Sequence, residues 1–249
     1  MSEVIVVRDA LEVAQVGAEL FTESSAGATA ARGKALVVLT GGSAAPPLYA
    51  ALRSDPWRTR VPWASIEFFY SDDRAVPLGD PLSNHGMAQR ELHEPLGIAP
   101  ERVHRFRGEV VDLDAEARRA ADELREIARP PMGGPPRLDL VLLGLGPDGH
   151  IGSLFAGAAD ASDRGDAQLV KAVPAPTQVE PHVPRFTLTP APIVYARTIV
   201  LMTTGAKKAE VLARMLKGPD DLKACPAQWL RRATGRVVVV CDEAAAARL

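Results

Sequence analysis

Residues 138–157, LDLVLLGLGPDGHIGSLFAG, constrain the fold of this chain more than any other stretch. An apolar run over residues 138–145 is interrupted by Asp139 and Gly144 and then breaks into Gly-Pro-Asp-Gly-His. Such runs are typical of parallel strands that are buried on both faces, because neither face meets water. In open α/β sheets, ligands bind beyond the carboxyl ends of the strands. The pattern therefore predicts a central strand that ends in a functional loop carrying His150.

The rest of the chain alternates between short apolar runs and segments whose apolar residues recur at helical spacing. Strands that alternate with helices indicate βαβ units and a parallel sheet, so the pattern predicts an α/β fold. A length of 249 residues fits one to two domains, and α/β folds of this size often form one. The predicted strands cover residues 4–7, 34–40, 66–70, 138–145, 169–173, 185–189, 198–204 and 236–241, and the predicted helices include 84–92, capped by Asn84, 112–128 and 206–216.

Composition and charge exclude several classes of function. With a net charge of -2 the chain has no broad basic field, so we expect neither a nucleic-acid partner nor an acidic membrane. The N-terminus lacks the profile of a signal peptide, and no apolar segment is long enough to span a bilayer, so we expect a cytoplasmic protein with no membrane partner. The two cysteines, Cys225 and Cys241, have neither metal-ligand nor disulfide spacing and are predicted to be inert core thiols.

Gly144, Gly146 and Gly149 match the G-x-G-x-x-G fingerprint of dinucleotide-binding loops. The match lies in the middle of the chain, however, and Pro147 and Asp148 stand where the backbone of such a loop faces the pyrophosphate. No predicted strand ends in an acidic residue at the offset that a ribose-binding carboxylate requires. The sequence therefore argues against a nicotinamide dinucleotide.

His150 is the best candidate for a general base. Glycines hold it at a strand end, Asp148 is close in sequence, and an imidazole titrates near neutrality, where a base that activates water is most effective. Ser153 could be a nucleophile, but there is no Gly-x-Ser-x-Gly elbow around it, and its spacing from His150 is that of a helix neighbour. We predict no metal site, because the spacing of metal ligands is missing among the other histidines, which are His85, His93, His104 and His182.

Further segments carry groups that suit an anionic ligand. The turn Gly41-Gly42-Ser43 opens a predicted helix, where backbone amides attract anions. Arg74 follows two aspartates, a run that on its own is more typical of a solvated turn with a local ion pair. Arg185 opens a predicted strand, and Lys208 lies near the start of a helix. Each of these cations alone is typical of an ordinary surface charge, so the prediction of an anion-binding site depends on their combination.

Taken together, several blocks resemble the 6-phosphogluconolactonase family. They occur in the family's order and cover nearly the whole chain: LTGGSAAPPLY (39–49), SDDRAVPLGDPLSN (71–84), GLGPDGHIGSLFAG (144–157), RFTLT (185–189) and TGAKKAEVL (204–212). The resemblance implies a single-domain Rossmann-like fold over residues 1–249, with a mainly parallel sheet, helices on both faces and no cofactor. It also implies hydrolysis of 6-phospho-D-glucono-1,5-lactone to 6-phosphogluconate in the pentose phosphate pathway.

The resemblance also implies roles for individual residues. His150, oriented by Asp148 or by a backbone carbonyl, is expected to deprotonate a water molecule that attacks the lactone carbonyl. Positive groups and backbone amides are expected to stabilise the resulting oxyanion. The residues expected to hold the 6-phosphate are Gly42, Ser43, Arg74 and Lys208, with Arg185 as a second candidate for the phosphate or the oxyanion.

Some positions separate this chain from its relatives. Asp73 stands where the lactonases usually have Glu, and Ile151-Gly152 where they usually have Thr-Ala. Related glucosamine-6-phosphate deaminases typically have Tyr at the position of Arg74, which favours the lactonase. The alternatives are a deaminase or sugar-phosphate isomerase and a catalytically silent sugar-phosphate sensor, although the chain has no recognition helix or basic arm. We expect a monomer or a small homo-oligomer, and a mobile loop over residues 156–168.

Overall fold

The computed structural model describes residues 2–130, 134–158 and 168–249. Strands in these ranges form a larger, six-stranded sheet in which every pairing is parallel. In spatial order its strands are β1 (Glu3–Val7), β9 (Arg236–Asp242), β8 (Thr198–Thr203), β5 (Leu140–Gly144), β2 (Ala35–Leu39) and β3 (Ile66–Tyr70). The mainly parallel α/β fold that the sequence predicts is therefore confirmed.

A second sheet of the described residues is antiparallel and contains β4 (Asp72–Arg74), β7 (Arg185–Leu188) and β6 (Val170–Val173). The strands β6 and β7 fall on two of the predicted strands, 169–173 and 185–189, and they pair antiparallel. The solvated turn expected over the Asp-Asp-Arg run is wrong. Asp72 and Asp73 are 7% and 2% exposed, because this segment forms a strand that pairs with β7.

The helices lie close to where the sequence predicts them. Asp9 caps the first helix, and its carboxylate accepts a hydrogen bond from the N–H of Glu12 at 3.0 Å. The predicted cap at Asn84 is wrong, since the hydroxyl of Ser83 accepts from the N–H of Gly86 at 3.0 Å. In chain order the helices of the described ranges are α1 (Ala10–Arg32), α2 (Ala45–Leu52), α3 (Trp57–Arg60), α4 (Asn84–Ala88), α5 (Glu94–Leu96), α6 (Leu113–Ala128), α7 (Pro190–Val194), α8 (Ala209–Lys217) and α9 (Glu243–Ala246), with a π-helical turn over Gln89–His93 and 3₁₀ turns over Gly42–Ala44, Trp63–Ser65, Pro100–Arg102, Ala206–Lys208 and Pro226–Arg232.

The central strand β5 explains the apolar run in the sequence. Residues 140–143 are completely buried, as expected for a strand with a neighbour on each side. Asp139, the acidic interruption, is buried as well, and it accepts hydrogen bonds from the N–H of Leu36 at 2.9 Å and from Arg32 at 2.6 Å. Arg197 Nε lies 3.2 Å from the same carboxylate. A buried carboxylate is tolerated when it is paired in this way, and here it fixes the start of β5 against β2.

The parallel order brings the carboxyl ends of β2, β5 and β8 to one edge of the larger sheet. The turns that follow these strands contain the glycine turn after β2, the His150 loop after β5 and the 3₁₀ turn that ends at Lys208. Residues of β4 and β7 reach the same region. The fold therefore gathers segments that are far apart in the sequence at the position where α/β sheets bind ligands.

Two connecting segments are only partly described. The mobile loop expected over residues 156–168 falls largely on 159–167, which lie outside the described residues. The Pro- and Gly-rich stretch 129–137 contains neither helix nor strand in its described residues, 129–130 and 134–137. Across the described ranges, no helix combines the length and the apolar character that crossing a membrane requires.

Candidate active site

A cleft of about 390 Å³ opens at the carboxyl edge of the larger sheet. Its walls come from the turns after β2, β5 and β8 and from β4 and β7 of the smaller sheet. Asp148 does not line it and contacts His150 instead. The other site residues predicted from the sequence do line the cleft, namely Gly42, Ser43, Arg74, His150, Arg185 and Lys208.

Asp148 orients the His150 ring. Its Oδ1 lies 2.5 Å from Nδ1 of His150, and the backbone N–H of His150 donates to the same oxygen at 3.2 Å. Burial opposes ionisation of Asp148, but the hydrogen bond and charge of His150 outweigh it and lower the pKa of the carboxyl to about 2. The carboxylate is therefore ionised at neutral pH and can stabilise a positive charge on the imidazole. Of the two orienting groups that the sequence leaves open, the structure shows the carboxylate.

The glycines of the fingerprint make room for the histidine. A Cβ added at Gly146 would lie 2.1 Å from Nδ1 of His150, so the ring packs directly on the backbone. The N–H of Gly146 donates to the carbonyl of His150 at 2.9 Å and closes the turn. Gly149 has a φ of 97°, in the left-handed region that favours glycine. In this chain the glycine spacing serves a compact turn that presents an imidazole.

A separate segment supports this turn from outside the cleft. Arg214 Nη2 donates to the carbonyl of Asp148 at 2.8 Å, and the N–H of Ala227 donates to the carbonyl of Gly149 at 2.8 Å. Cys225 packs so closely that a Cβ at Gly149 would lie 2.8 Å from its Sγ. Burial raises the pKa of the Cys225 thiol, which fits the expectation of an inert core thiol.

Lys208 reaches the cleft from the 3₁₀ turn that precedes α8. Its Nζ donates to the carbonyl of Leu145, at the start of the His150 turn, at 2.7 Å. Burial lowers the pKa of the ammonium group, and the charge of Asp148 opposes that shift. An ammonium group has three donors, so one bond to Leu145 leaves others for a ligand.

Gly42 and Ser43 provide a second kind of anion site, which consists of backbone amides rather than of a charged side chain. Gly42 has a φ of 70° and begins the 3₁₀ turn that runs into α2. The first N–H groups of a helix have no acceptor within it, and no side chain caps this one. These amides border the cleft, where they can donate to an anionic ligand.

Arg74 and Arg185 are direct neighbours across the β4–β7 ladder. Arg185 Nη2 donates to the carbonyl of Pro181 at 3.0 Å, and its guanidinium lies 5.0 Å from the ring centre of Phe155. Burial lowers the pKa of Arg185, and the charge of Arg74 acts in the same direction while Asp72 opposes it. Both Nε atoms are buried without a partner, and no carboxylate of the described residues forms an ion pair with either arginine. Two adjacent cations that form no ion pair with a carboxylate of the described residues favour an anionic ligand.

The polar residues of the cleft that sequence reasoning missed include Asn84 and Asp72. Asn84 is 2% exposed and contacts Arg74, although the sequence suggested only a helix cap. The carboxylate of Asp72 accepts a hydrogen bond from the hydroxyl of Ser153 at 2.7 Å. Ser153 is therefore a buried hydrogen-bond donor in a turn, and the helix-like spacing from His150 that the sequence suggested is wrong. Asp-Asp and Ser-Asn pairs are common in turns, so no local signal marks them.

The remaining histidines have structural partners. The hydroxyl of Tyr70 lies 2.9 Å from both His85 Nδ1 and His93 Nε2. Burial lowers the pKa of His85 to about 4 and that of His93 to about 3, which keeps both neutral at physiological pH. In the part of the chain that the structure describes, no group of three or more His, Cys, Asp or Glu side chains could hold a metal ion.

Comparison with known proteins points to one family. The family described as glucosamine-6-phosphate isomerases/6-phosphogluconolactonase matches residues 8–239. A 6-phosphogluconolactonase of Streptomyces coelicolor is 32% identical over 253 aligned residues, covering 99% of this chain and 94% of that protein. Another, from Mycobacterium tuberculosis, is 34% identical and covers 89% and 88%. The solved structure of the 6-phosphogluconolactonase from Trypanosoma cruzi is similar with a TM-score of 0.88 and 27% identity, over 100% of this chain and 97% of that one.

Proposed function

The chain belongs to the family of glucosamine-6-phosphate isomerases and 6-phosphogluconolactonases, and from that premise we propose that it hydrolyses 6-phospho-D-glucono-1,5-lactone to 6-phosphogluconate. The observation that carries the proposal is the hydrogen bond between Asp148 and His150 at a cleft that also contains cationic side chains. An oriented imidazole can activate water, and cations can hold a phosphorylated substrate.

His150 acts as the general base. Because its Nδ1 faces the Asp148 carboxylate, the neutral imidazole carries its proton on Nδ1 and keeps the lone pair of Nε2 for a water molecule. The water oxygen attacks the carbonyl carbon of the lactone while Nε2 accepts the water proton. Asp148 stabilises the imidazolium that forms.

The tetrahedral intermediate then collapses with cleavage of the bond between the former carbonyl carbon and the ring oxygen. The imidazolium of His150 returns its proton to that ring oxygen, which becomes a hydroxyl group, and the new carboxylic acid ionises. During these steps negative charge lies on the former carbonyl oxygen, where preorganised donors stabilise it. Arg185 is a candidate for this role because its buried Nε has no protein partner.

The phosphate group is held by donors that converge from separate strands. The amides of Gly42 and Ser43 follow β2, Arg74 is part of β4, and Lys208 follows β8. A phosphate accepts several hydrogen bonds at once, and arginine can contact two of its oxygens. A cleft with this set of donors supports a phosphorylated substrate over a neutral lactone.

Hydrolysis of freshly prepared lactone tests the proposal. The substrate also opens spontaneously, so activity is measured as the rate in excess of the buffer rate, for the wild type and for His150→Asn. We expect a clear excess rate in the wild type and its loss in a folded His150→Asn variant. A wild type with no excess rate refutes the lactonase, and a fully active His150→Asn variant refutes the assignment of the base.

Two further measurements separate the alternatives. Release of ammonia from glucosamine 6-phosphate would identify a deaminase, whose substrate is also that of the glucosamine-6-phosphate isomerases in the family description. Binding of 6-phosphogluconate without turnover of the lactone would identify a silent sugar-phosphate sensor. The lactonase predicts turnover of the lactone and no ammonia.

A further inference from the structure

Asn84 contacts separate parts of the cleft through one side chain. Its Oδ1 accepts a hydrogen bond from Nη1 of Arg74 at 2.6 Å, and its Nδ2 donates to the carbonyl of Asp72 at 2.9 Å. The same amide lies against the glycine turn, because a Cβ added at Gly41 would be 2.0 Å from Asn84 Oδ1. The Asn84 side chain therefore has one orientation, fixed by contacts on both of its polar atoms.

The backbone beneath Asn84 is fixed as well. The buried carboxylate of Asp73 accepts hydrogen bonds from the N–H of Asn84 at 2.6 Å, from the N–H of His85 at 3.0 Å and from the hydroxyl of Ser83 at 3.1 Å. These donors are at the first turn of α4, so the carboxylate attaches the start of this helix to β4. Asn84 is thus held in place before any ligand arrives.

Arg74 uses one nitrogen of its guanidinium for protein contacts. Nη1 donates to the carbonyl of Leu82 at 2.8 Å and to Asn84 Oδ1. Nε is buried without a partner, and Nη2 donates no hydrogen bond to the described residues. The Nε–Nη2 edge of a guanidinium can grip two oxygens of one anion. The protein contacts thus leave this edge unused.

We propose that Asn84 is a positioning residue for an anion site on Arg74. By engaging Nη1, it presents the Nε–Nη2 edge of Arg74 to two oxygens of a phosphate or a carboxylate, and Gly41 is a glycine because the Asn84 amide fills the space of its Cβ. This inference rests on the proposed function, in which the anion is either the 6-phosphate of the substrate or the carboxylate of the product.

Calorimetric titration with inorganic phosphate, 6-phosphogluconate and gluconate tests the inference. We expect Asn84→Ala to weaken anion binding about tenfold or more, the range of a charge-assisted hydrogen bond. In an Arg74→Ala background the same substitution is expected to have no further effect, because Asn84 acts through Arg74. Weaker phosphate binding identifies the phosphate as the anion, and weaker gluconate binding alone identifies the carboxylate. Equal losses in both backgrounds, or a wild type that binds none of the probes, overturn the inference.

Gly41→Ala offers a second route that leaves both polar side chains in place. Gly41 has a φ of -102°, which alanine adopts freely, so the contact with Asn84 is the obstacle to a methyl group. We expect Gly41→Ala to weaken anion binding as Asn84→Ala does, and to add nothing when Asn84 is already alanine. Gly27→Ala is the matched control, since a Cβ on this exposed helical glycine meets no atom within 4 Å. Wild-type binding by Gly41→Ala would contradict the inference.

The binding measurements need no turnover, so they separate this inference from the proposed function. A wild type that binds phosphate but does not hydrolyse the lactone refutes the lactonase. The inference about Asn84 is then judged by the effect of Asn84→Ala on phosphate binding in the wild-type and Arg74→Ala backgrounds. A wild type that hydrolyses the lactone while Asn84→Ala binds all probes normally refutes the inference and leaves the lactonase in place.

Discussion

Oδ1 of Asp148 accepts hydrogen bonds from both the ring Nδ1 and the backbone N–H of His150, at 2.5 Å and 3.2 Å. One carboxylate oxygen therefore fixes the turn and the ring together. The two residues are separated by Gly149, whose positive φ lets the chain reverse between them. The pair itself is local, but its geometry also depends on the segment that supports the turn through Arg214 and Ala227.

Asp148→Asn tests the contribution of this charge. An amide can hold the imidazole in either tautomer and cannot stabilise an imidazolium, so we expect kcat to fall by about 10²- to 10⁴-fold with a small change in KM. Steady-state rates corrected for the buffer rate measure the effect. Since the pKa of Asp148 is lowered to about 2, its own titration contributes no step to the rate near neutral pH. Wild-type kcat in this variant would show that Asp148 has no part in catalysis.

Gly146→Ala tests the packing of the imidazole on the backbone. The added methyl group would lie 2.1 Å from His150 Nδ1, so the ring must leave its contact with Asp148. We expect a loss of kcat comparable to that of Asp148→Asn, in a protein whose circular dichroism is unchanged. Gly144→Ala is the control within the same motif, because its methyl group meets no atom within 4 Å, and it should keep most of the activity. Equal losses in the two variants would rule out this steric account.

Ser153→Ala distinguishes a buried hydrogen-bond donor from a nucleophile. The Ser153 hydroxyl is 1% exposed and donates to Asp72, so it is occupied by a protein acceptor. We expect kcat to fall less than about tenfold and the free energy of unfolding to fall by about 1–2 kcal/mol, the effect of one lost hydrogen bond to a buried carboxylate. Lactone hydrolysis and urea denaturation measure the two quantities. A loss of activity as large as that of His150→Asn would require a catalytic hydroxyl.

The central strand and its loop could be predicted from sequence because their signals are local. The run over residues 140–143 is apolar on both faces, and the glycines around His150 follow it directly. The glycine turn at Gly42 could be predicted for the same reason. Each of these features depends on residues within one short segment.

The features that sequence analysis missed depend on pairing between distant segments. The Asp-Asp-Arg run is a buried strand because Arg74 pairs with Arg185, a residue that is more than a hundred positions away. The sequence predicts Asn84 as a helix cap, whereas in the structure its side chain contacts Arg74 and the turn at Gly41. No periodicity within 71–84 indicates these partners, so the local pattern of the Asp-Asp-Arg run favours a solvated turn.

His104 links two elements away from the cleft. Its Nδ1 lies 3.1 Å from Glu123 of α6 and its Nε2 lies 3.0 Å from Glu67 of β3, while the ring stacks on Phe69 at 4.7 Å. Burial opposes the charged imidazole, but the hydrogen bonds and charges of Glu123 and Glu67 outweigh it and raise the pKa of His104. The hydrogen bond from His104 is the main cause that lowers the pKa of Glu123 to about 2.

His104→Gln is expected to destabilise the protein more in mild acid than in mild base. A raised pKa means that the folded state binds the His104 proton more tightly than the unfolded chain. The resulting stability is complete below the unfolded pKa of about 6.5 and is lost as pH rises through the folded pKa. Urea denaturation at about pH 5.5 and about pH 9 measures the difference. His182→Gln is the control, since this exposed histidine pairs with an exposed Glu180 and should change stability little at either pH. An equal loss at both pH values for His104→Gln would mean that ring packing on Phe69, and not charge, is what His104 contributes.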